Sequence, residues 1–435
     1  MKRRTFLQLL TVPAVAQVFA ACADDPGKTD SPSNGASSLR GDAARVTTDT
    51  DPTEAAAAIN AFADDMFLHL TTVDPAANLV FSPASIALAL AMTSAGAKGT
   101  TLAEMDTVLH INDAAAIHRS MNGLESSLEA ANAIQDNTGD IGGVGISEVQ
   151  ISIANSLWGQ AGLNFEQAFL DLLSSEYGAG MELVDYKKDP EAARAAINEW
   201  VATQTNDRIP ELLAEGVITV DARLTLVNAI YLKANWNDTF DKEQTLTTSF
   251  AAPAGEVDVE MMHASRRIAH SEGDGWQAIQ LPYVFGELSM VVALGDTVDA
   301  LLPTIGEAVA QLRERPVELG FPKFDIETSI SLAATLKEMG MPTAFDTGTA
   351  DFSGMTTEER LVIGDVIHQA NITVDEVGTE AAAATAVVMV ATSAPVEETP
   401  ITLVINRPFT FWLIARSTGV VVFMGRINDP SATRG

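Results

Sequence analysis

The sequence predicts a single α+β domain, and three observations carry that expectation. The chain of 435 residues is 47% apolar, ample for a core. Beyond an N-terminal segment of different composition, about 380 residues run on without a Pro/Gly/Ser-rich linker or an internal repeat, although their length alone would permit two or three domains. The third observation is a set of motif blocks that follow one another between residues 53 and 430.

The first 22 residues, MKRRTFLQLLTVPAVAQVFAAC, read as targeting sequence: a basic start, an apolar stretch, then small residues before Cys22. Arg3-Arg4-Thr5-Phe6-Leu7 resembles a twin-arginine export signal. Phe19-Ala20-Ala21-Cys22 resembles a bacterial lipoprotein box, with Phe19 where leucine is usual. Cys22 is the only cysteine, which excludes an intrachain disulfide and points to lipidation; a plain secretory signal cut near Ala21 is the alternative. The expected location is the envelope of a bacterium, periplasmic or at the cell surface, with lipid as the only membrane contact. Residues 23–52 are nearly devoid of large apolar side chains and cannot bury a core. They read as a flexible tether of about 30 residues spanning roughly 30 Å, with the folded domain expected over 53–435.

Within that domain NLVFSPASIALALAMTSAGAKGTTLAEM runs from Asn78, ISIANSLWGQ from Ile151, AINEWVATQTNDRIPELL from Ala196 and LTLVNAIYLKANW from Leu224. QLPYVFGELSMVVAL follows from Gln280, DFSGM from Asp351, VDEVGTEAAAATA from Val374 and RPFTFWLIARSTGVVVFMGRINDP from Arg407. In this order the blocks resemble the serpin family of serine-protease inhibitors. The resemblance implies the serpin fold: one mixed domain with three β-sheets, eight or nine helices and an exposed reactive-centre loop.

It also implies roles for particular residues. Ser82 and Ser85 (in FSPAS), Asn228 (in VNAI) and His368 (in VIHQA) match the family's shutter, a buried polar cluster under the central sheet. Buried hydroxyls, an amide and an imidazole must pair with one another, and such a network can exist closed or parted. Trp236 matches the tryptophan of the breach, the top of the same sheet, where the loop first enters.

The segment VDEVGTEAAAATAVVMVATSA, Val374 to Ala394, has a glycine, then very small residues, then β-branched ones. Alternation from Thr379 would put Thr379, Ala381, Ala383, Thr385, Val387, Met389 and Ala391 on one face, which suits a strand covered above and below. The polar stretch that follows, with Pro395 and Pro400, reads as surface loop, so the segment is a candidate conformational switch. Four consecutive alanines also suit an ordinary helix or linker.

Under the resemblance, Glu376, Gly378, Thr379, Glu380, Ala381, Ala382, Ala383, Ala384 and Thr385 match the hinge of inhibitory members, whose small side chains permit fast insertion. The family's hinge glycine precedes the attacked carbonyl by about fourteen residues. That implies a scissile bond at Thr392–Ser393, with Met389, Val390 and Ala391 as open neighbours. Counting back from Asn406-Arg407-Pro408-Phe409 lands near Glu397 instead. The hinge count takes precedence, because the inserting length is mechanically fixed.

The implied function is irreversible, suicide-substrate inhibition: a serine protease cleaves the loop, is held as the acyl-enzyme, and is trapped when the loop joins the central sheet. Val390-Ala391-Thr392 suits a small apolar primary pocket, elastase-like or subtilisin-like, and no basic residue lies between Gly378 and Arg407 for a trypsin-like one. The expected partner is that protease, in a covalent complex with a monomer for which loop–sheet polymerisation is a hazard. The alternatives are a non-inhibitory serpin-fold binding protein or chaperone, and a substrate-binding lipoprotein.

A net charge of −32 argues against nucleic acid and against heparin, both of which need a basic stripe. The stretch that would match a heparin helix, from Ile111, offers only Arg119 as a fixed positive charge. An enzyme is disfavoured: the chain lacks a G-x-S-x-G elbow, an H-E-x-x-H motif and a Gly-rich phosphate loop. The six histidines are not spaced as metal ligands, so neither metal nor cofactor is expected. Ser82, Ser85, His368 and Asp365 could mimic a catalytic triad, but the shutter role is preferred for the first three.

Overall fold

The computed structural model describes residues 37–47, 50–136, 149–295, 305–379 and 398–432. Seven strands form one sheet, in the spatial order β1 (Ser37–Leu39), β4 (Met181–Val184), β3 (Val149–Gln160), β5 (Leu224–Asn235), β13 (Gly378–Thr379), β12 (Val366–Val374) and β11 (Phe324–Ser331). A second ladder runs β14 (Ile401–Val404), β10 (Arg313–Pro322), β7 (Gly255–Gly273), β8 (Trp276–Pro282), β9 (Leu288–Gly295), β15 (Phe409–Ala415), β16 (Val421–Ile427) and β2 (Leu79–Phe81), with β6 (Leu246–Ala252) beside β7. Strand β7 is 19 residues long and pairs in succession with β6, β10 and β8. One long strand thus joins, among the described residues, the two smaller sheets that the resemblance implies.

Eight α-helices cover these sheets among the described residues: α1 (Thr53–Val73), α2 (Pro83–Ser94), α3 (Gly99–Val108), α4 (Ile117–Asp136), α5 (Gln167–Tyr177), α6 (Pro190–Gln204), α7 (Ile305–Gln311) and α8 (Ala333–Met339). Helix α1 turns Ala55, Ile59, Phe62, Met66 and Phe67 inward at helical spacing. Helix α2 is buried along its whole length, as small and apolar residues on every side dictate. Ser82 caps it by accepting the Ser85 N–H, and Pro83 occupies the first turn. This helix packs under β3 and β5, while Ile197 and Val201 of α6 join Val227, Ala229 and Ile367 on the opposite face. The seven-stranded sheet is therefore covered on both sides.

The expected tether, residues 23–52, ends earlier than its composition suggested. Strand β1 pairs antiparallel with β4. The Gly41 N–H donates to Ser174 Oγ at 2.8 Å and the Asp42 N–H to Asp171 Oδ1 at 2.8 Å. Arg45 bridges Glu125 (2.7 Å) and Glu129 (3.0 Å). Gly41 lies so close to α5 that a Cβ would stand 2.5 Å from the Asp171 backbone. Ladder pairing, close approach and ion pairs hold this strap, none of which leaves an apolar pattern. Cys22 and residues 23–36 lie outside the described residues.

Candidate functional site

The central feature is the seam between β5 and β12. These strands pair in parallel from Leu226 to Ile230 and from Val366 to Ala370. Above that stretch they part, and β13 stands in the gap. Gly378 faces Asn235 and Thr379 faces Ala234 on β5, while Thr379 faces Val374 on β12, antiparallel in both directions. Gly378 is required by proximity, since a Cβ there would meet the Ala234 carbonyl oxygen at 2.1 Å. Thr379 turns toward the core, and its hydroxyl lies 2.7 Å from that of fully buried Tyr283. Tyr283 stacks on Trp236 with ring centroids 4.4 Å apart.

The turn that feeds β13 is pinned from several sides. Asp375 Oδ1 accepts the N–H groups of Val377 (2.8 Å) and Gly378 (3.1 Å), a local side-chain-to-backbone turn. Trp236 donates its indole N–H to the Asp375 carbonyl at 3.0 Å and its backbone N–H to that of Val377 at 2.8 Å. Glu376 is buried; one carboxylate oxygen accepts the Thr245 hydroxyl at 2.8 Å, and the other lies 3.4 Å from Lys323 Nζ. Burial pushes its carboxyl up, but its own backbone N–H, the Thr245 hydroxyl and the Lys323 ammonium outweigh this, leaving it below the usual carboxylate range.

Lower down the seam lies the polar cluster. His368 Nε2 accepts the Ser82 N–H at 3.0 Å, and its Nδ1 bonds Asn228 Oδ1 across the seam. An acceptor at Nε2 fixes the neutral tautomer with the proton on Nδ1. Burial without a carboxylate pushes the imidazole down to about 3. Asn228 Nδ2 donates to Ser85 Oγ (2.6 Å) and to Asn155 Oδ1 (2.7 Å). Ser85 Oγ donates to Asn155 Oδ1 at 2.9 Å, and Ser82 Oγ to the Val422 carbonyl at 2.6 Å. The triad alternative fails on this geometry. Both ring nitrogens of His368 are engaged elsewhere, and Asp365 accepts instead from the Ser331 hydroxyl and the Val366 N–H.

Ser82, Ser85, Asn228 and His368 thus meet in one network, and Trp236, Glu376, Gly378 and Thr379 meet at the head of the same seam. Glu380, Ala381, Ala382, Ala383, Ala384, Thr385, Thr392, Ser393 and Cys22 lie outside the described residues. Sequence reasoning missed Asn155, Tyr283, Thr245 and Lys323. Asn155 left a trace, an amide in the otherwise largely apolar run ISIANSLW; the others become partners only through the fold.

Comparison with known proteins agrees with this architecture. The family model for Serpin (serine protease inhibitor) matches residues 57–430. An uncharacterised serpin-like protein of Thermococcus kodakarensis is 36% identical over 381 residues, covering 86% of this chain and 85% of that one. The leukocyte elastase inhibitor of Homo sapiens is 34% identical over 386 residues, covering 85% and 97%. Among solved structures, the thermophilic serpin tengpin in its native state superposes with a TM-score of 0.77 at 25% identity, covering 90% of this chain and 97% of that one. Thyroxine-binding globulin in complex with thyroxine gives 0.73 at 28% identity, covering 86% and 99%.

Proposed function

Since the chain belongs to the serpin family, we propose that it inhibits serine proteases irreversibly, by inserting its cleaved loop into the seam between β5 and β12. The observation that carries this reading is β13: two hinge residues already stand as a short antiparallel strand at the head of a parted seam. Each further residue steps one position down both neighbours. Ala381 comes between Leu232 and Ile372, Ala383 between Ile230 and Ala370, and Val387 between Leu226 and Val366, six side chains that are all buried on the core face. Thr385 arrives between Asn228 and His368, whose mutual hydrogen bond has to open to admit it. A hydroxyl there supplies a partner to the polar groups left behind.

The protease's serine attacks the carbonyl of Thr392 and releases the amine of Ser393, forming the acyl-enzyme. Insertion of the freed strand then carries the esterified protease along the sheet and distorts it before water can deacylate it. Val390-Ala391-Thr392 favours an elastase-like or subtilisin-like target, a choice supported by similarity to a leukocyte elastase inhibitor. Export and lipidation at Cys22 place the inhibitor on the cell envelope in this reading.

The test is incubation with elastase and with subtilisin, followed by denaturing electrophoresis and thermal unfolding. The expected products are an SDS-resistant complex, a fragment beginning at Ser393, and a cleaved form that melts well above the intact one. Cleavage without complex and without a rise in melting temperature would overturn the proposal. A binding role without inhibition would then stand, a reading to which the similarity to thyroxine-binding globulin, solved in complex with thyroxine, lends support.

A further inference from the structure

We infer that Tyr283 is a positioning residue for insertion: its hydroxyl holds Thr379 at the head of the seam and so sets the register in which the loop would descend. Its use in trapping rests on the insertion proposed above; the geometry belongs to the intact molecule. Strand β13 is only two residues long, Gly378–Thr379. It pairs with β5 at both residues and with β12 at Thr379 alone. Fixing the backbone of a residue costs conformational entropy of the same order as the gain from a ladder bond, so a strand this short gains little from pairing by itself.

The bonds of the preceding turn hold the chain as far as Gly378. Asp375 takes the N–H groups of Val377 and Gly378, and the Trp236 backbone N–H meets the Val377 carbonyl. The side chain of Thr379 finds its partner in Tyr283, with the hydroxyl oxygens 2.7 Å apart and the two residues 1% and 0% exposed. Tyr283 lies outside the sheet that parts. It follows β8 in the second ladder, where its N–H donates to the Leu288 carbonyl at 3.0 Å. The Val284 N–H donates to the Asn235 carbonyl at 2.9 Å, and the Asn237 N–H to the Pro282 carbonyl at 2.9 Å. The Tyr283 ring lies on Trp236 at an interplanar angle of 14°. The phenol is therefore fixed to the end of β5 and does not depend on β12, the strand that insertion would separate from β5.

Register is the consequence. Side chains alternate between faces along a strand, so a slip of one residue would exchange the two sets. With Thr379 turned to Tyr283, Ala381 and Ala383 would follow on the core face. After a slip Glu380 would take the place of Thr379 and bring a carboxylate against a buried ring stack, where a charge is costly. A short hydroxyl suits the slot, since it pairs with the phenol and leaves neither group unsatisfied. The contact thus selects Thr379 for the first core-facing position and secures the start of insertion before any cut is made.

The test uses the full chain with Tyr283→Phe, with Thr379→Val, and with both. Phenylalanine keeps a ring on Trp236 and valine keeps the branched shape of threonine, so each single change removes one hydroxyl and leaves the other buried without its partner. Two quantities are measured: hydrogen exchange of residues 374–379 by mass spectrometry, without protease, and the inhibitor consumed per elastase silenced. Each single change is expected to speed exchange about tenfold and to raise consumption severalfold. The double variant, with no hydroxyl left over, should lie closer to the unaltered chain than the product of the single effects. Unchanged exchange in Tyr283→Phe, or single effects that simply multiply, would overturn the inference. Faster exchange with unchanged consumption would overturn the part of Tyr283 in trapping. If the unaltered chain forms no SDS-resistant complex, the inhibitory reading fails, while exchange still decides whether Tyr283 holds the hinge.

Discussion

Ala383→Arg separates loop insertion from simple cleavage most sharply. At the register set by Thr379, residue 383 arrives between Ile230 and Ala370, which are both fully buried on the face turned to α2. An alanine fills that slot without strain. An arginine would bring a guanidinium between two aliphatic side chains, and an uncompensated buried charge costs about 3–5 kcal/mol. Each ladder hydrogen bond completed on the way returns only about 0.5–1.5 kcal/mol. Insertion has to outrun deacylation, and about 1.4 kcal/mol in its barrier is a factor of ten in rate. If half the cost is felt at the barrier, insertion slows about tenfold or more. The loop would still be cut, because Ala383 lies nine residues before Thr392. Titrating elastase with the variant should show at least about tenfold more inhibitor consumed per protease silenced, with cleaved monomer replacing complex on a denaturing gel. An unchanged complex yield would refute the register and the insertion model together. Ala381→Pro reaches the same outcome by another route, removing a donor from the incoming strand between Leu232 and Ile372.

Three further substitutions probe the intact state. Asn228→Ala removes the partner of Ser85 Oγ, Asn155 Oδ1 and His368 Nδ1; at about 1–3 kcal/mol per buried group left unpaired, the intact form should melt several degrees lower and polymerise faster on native gels. Glu376→Lys loses the Thr245 bond and sets a second ammonium group beside that of Lys323, which should loosen the hinge turn and raise its susceptibility to proteolysis; an unchanged cleavage rate would count against the pinning role. Because the carboxyl of Glu376 is depressed in the fold, its contribution is present above the unfolded value and is lost as pH falls through the folded one. His368 works in the window between its unfolded value of 6.5 and its folded value of about 3: the unfolded chain binds the extra proton, so stability falls by about 1.4 kcal/mol per unit as pH drops across it. Denaturant titrations at intervals through that range should show a slope that His368→Gln reduces by about 1.4 kcal/mol per unit.

How much of this was legible beforehand depends on what holds each part. Ser82, Ser85, Asn228 and His368 lie in motif blocks and could be placed from sequence. Their fifth partner, Asn155, also lies in a block, ISIANSLWGQ, but its role could not be read there, because a lone amide in a strand looks the same whether it meets solvent or a serine. Of the alternating set Thr379, Ala381, Ala383, Thr385 and Val387, only Thr379 lies among the described residues, and it turns toward the core as the alternation requires. The Tyr283–Thr379 contact was invisible: it joins residues 96 apart and exists only because the hinge already stands in the sheet. The strap at 37–47 was misread for a complementary reason. Strand pairing, one close glycine and an arginine between two glutamates replace the apolar periodicity by which packed segments are recognised.

Under the proposed mechanism, the seam accounts for why an intact loop would wait and a cut one would not. Across it β5 and β12 share five parallel positions, whose slanted bonds are slightly weaker per residue than antiparallel ones. In the proposed insertion a strand descending from Thr379 would replace one parallel ladder with two antiparallel ones. The inserted product would then be lower in energy, yet its path would have a fixed order: Ala370 would part from Ile230 first, then Gln369 from Ala229, and only then the His368–Asn228 bond with its buried serines. In this mechanism the far end of an uncut loop would stay tied to β14, which pairs with β10, and that tie would oppose the path. Cleavage at the proposed Thr392–Ser393 bond would free the descending strand from that hold and turn an unfavourable doubling-back of the chain into a zipper that runs to the end of the sheet.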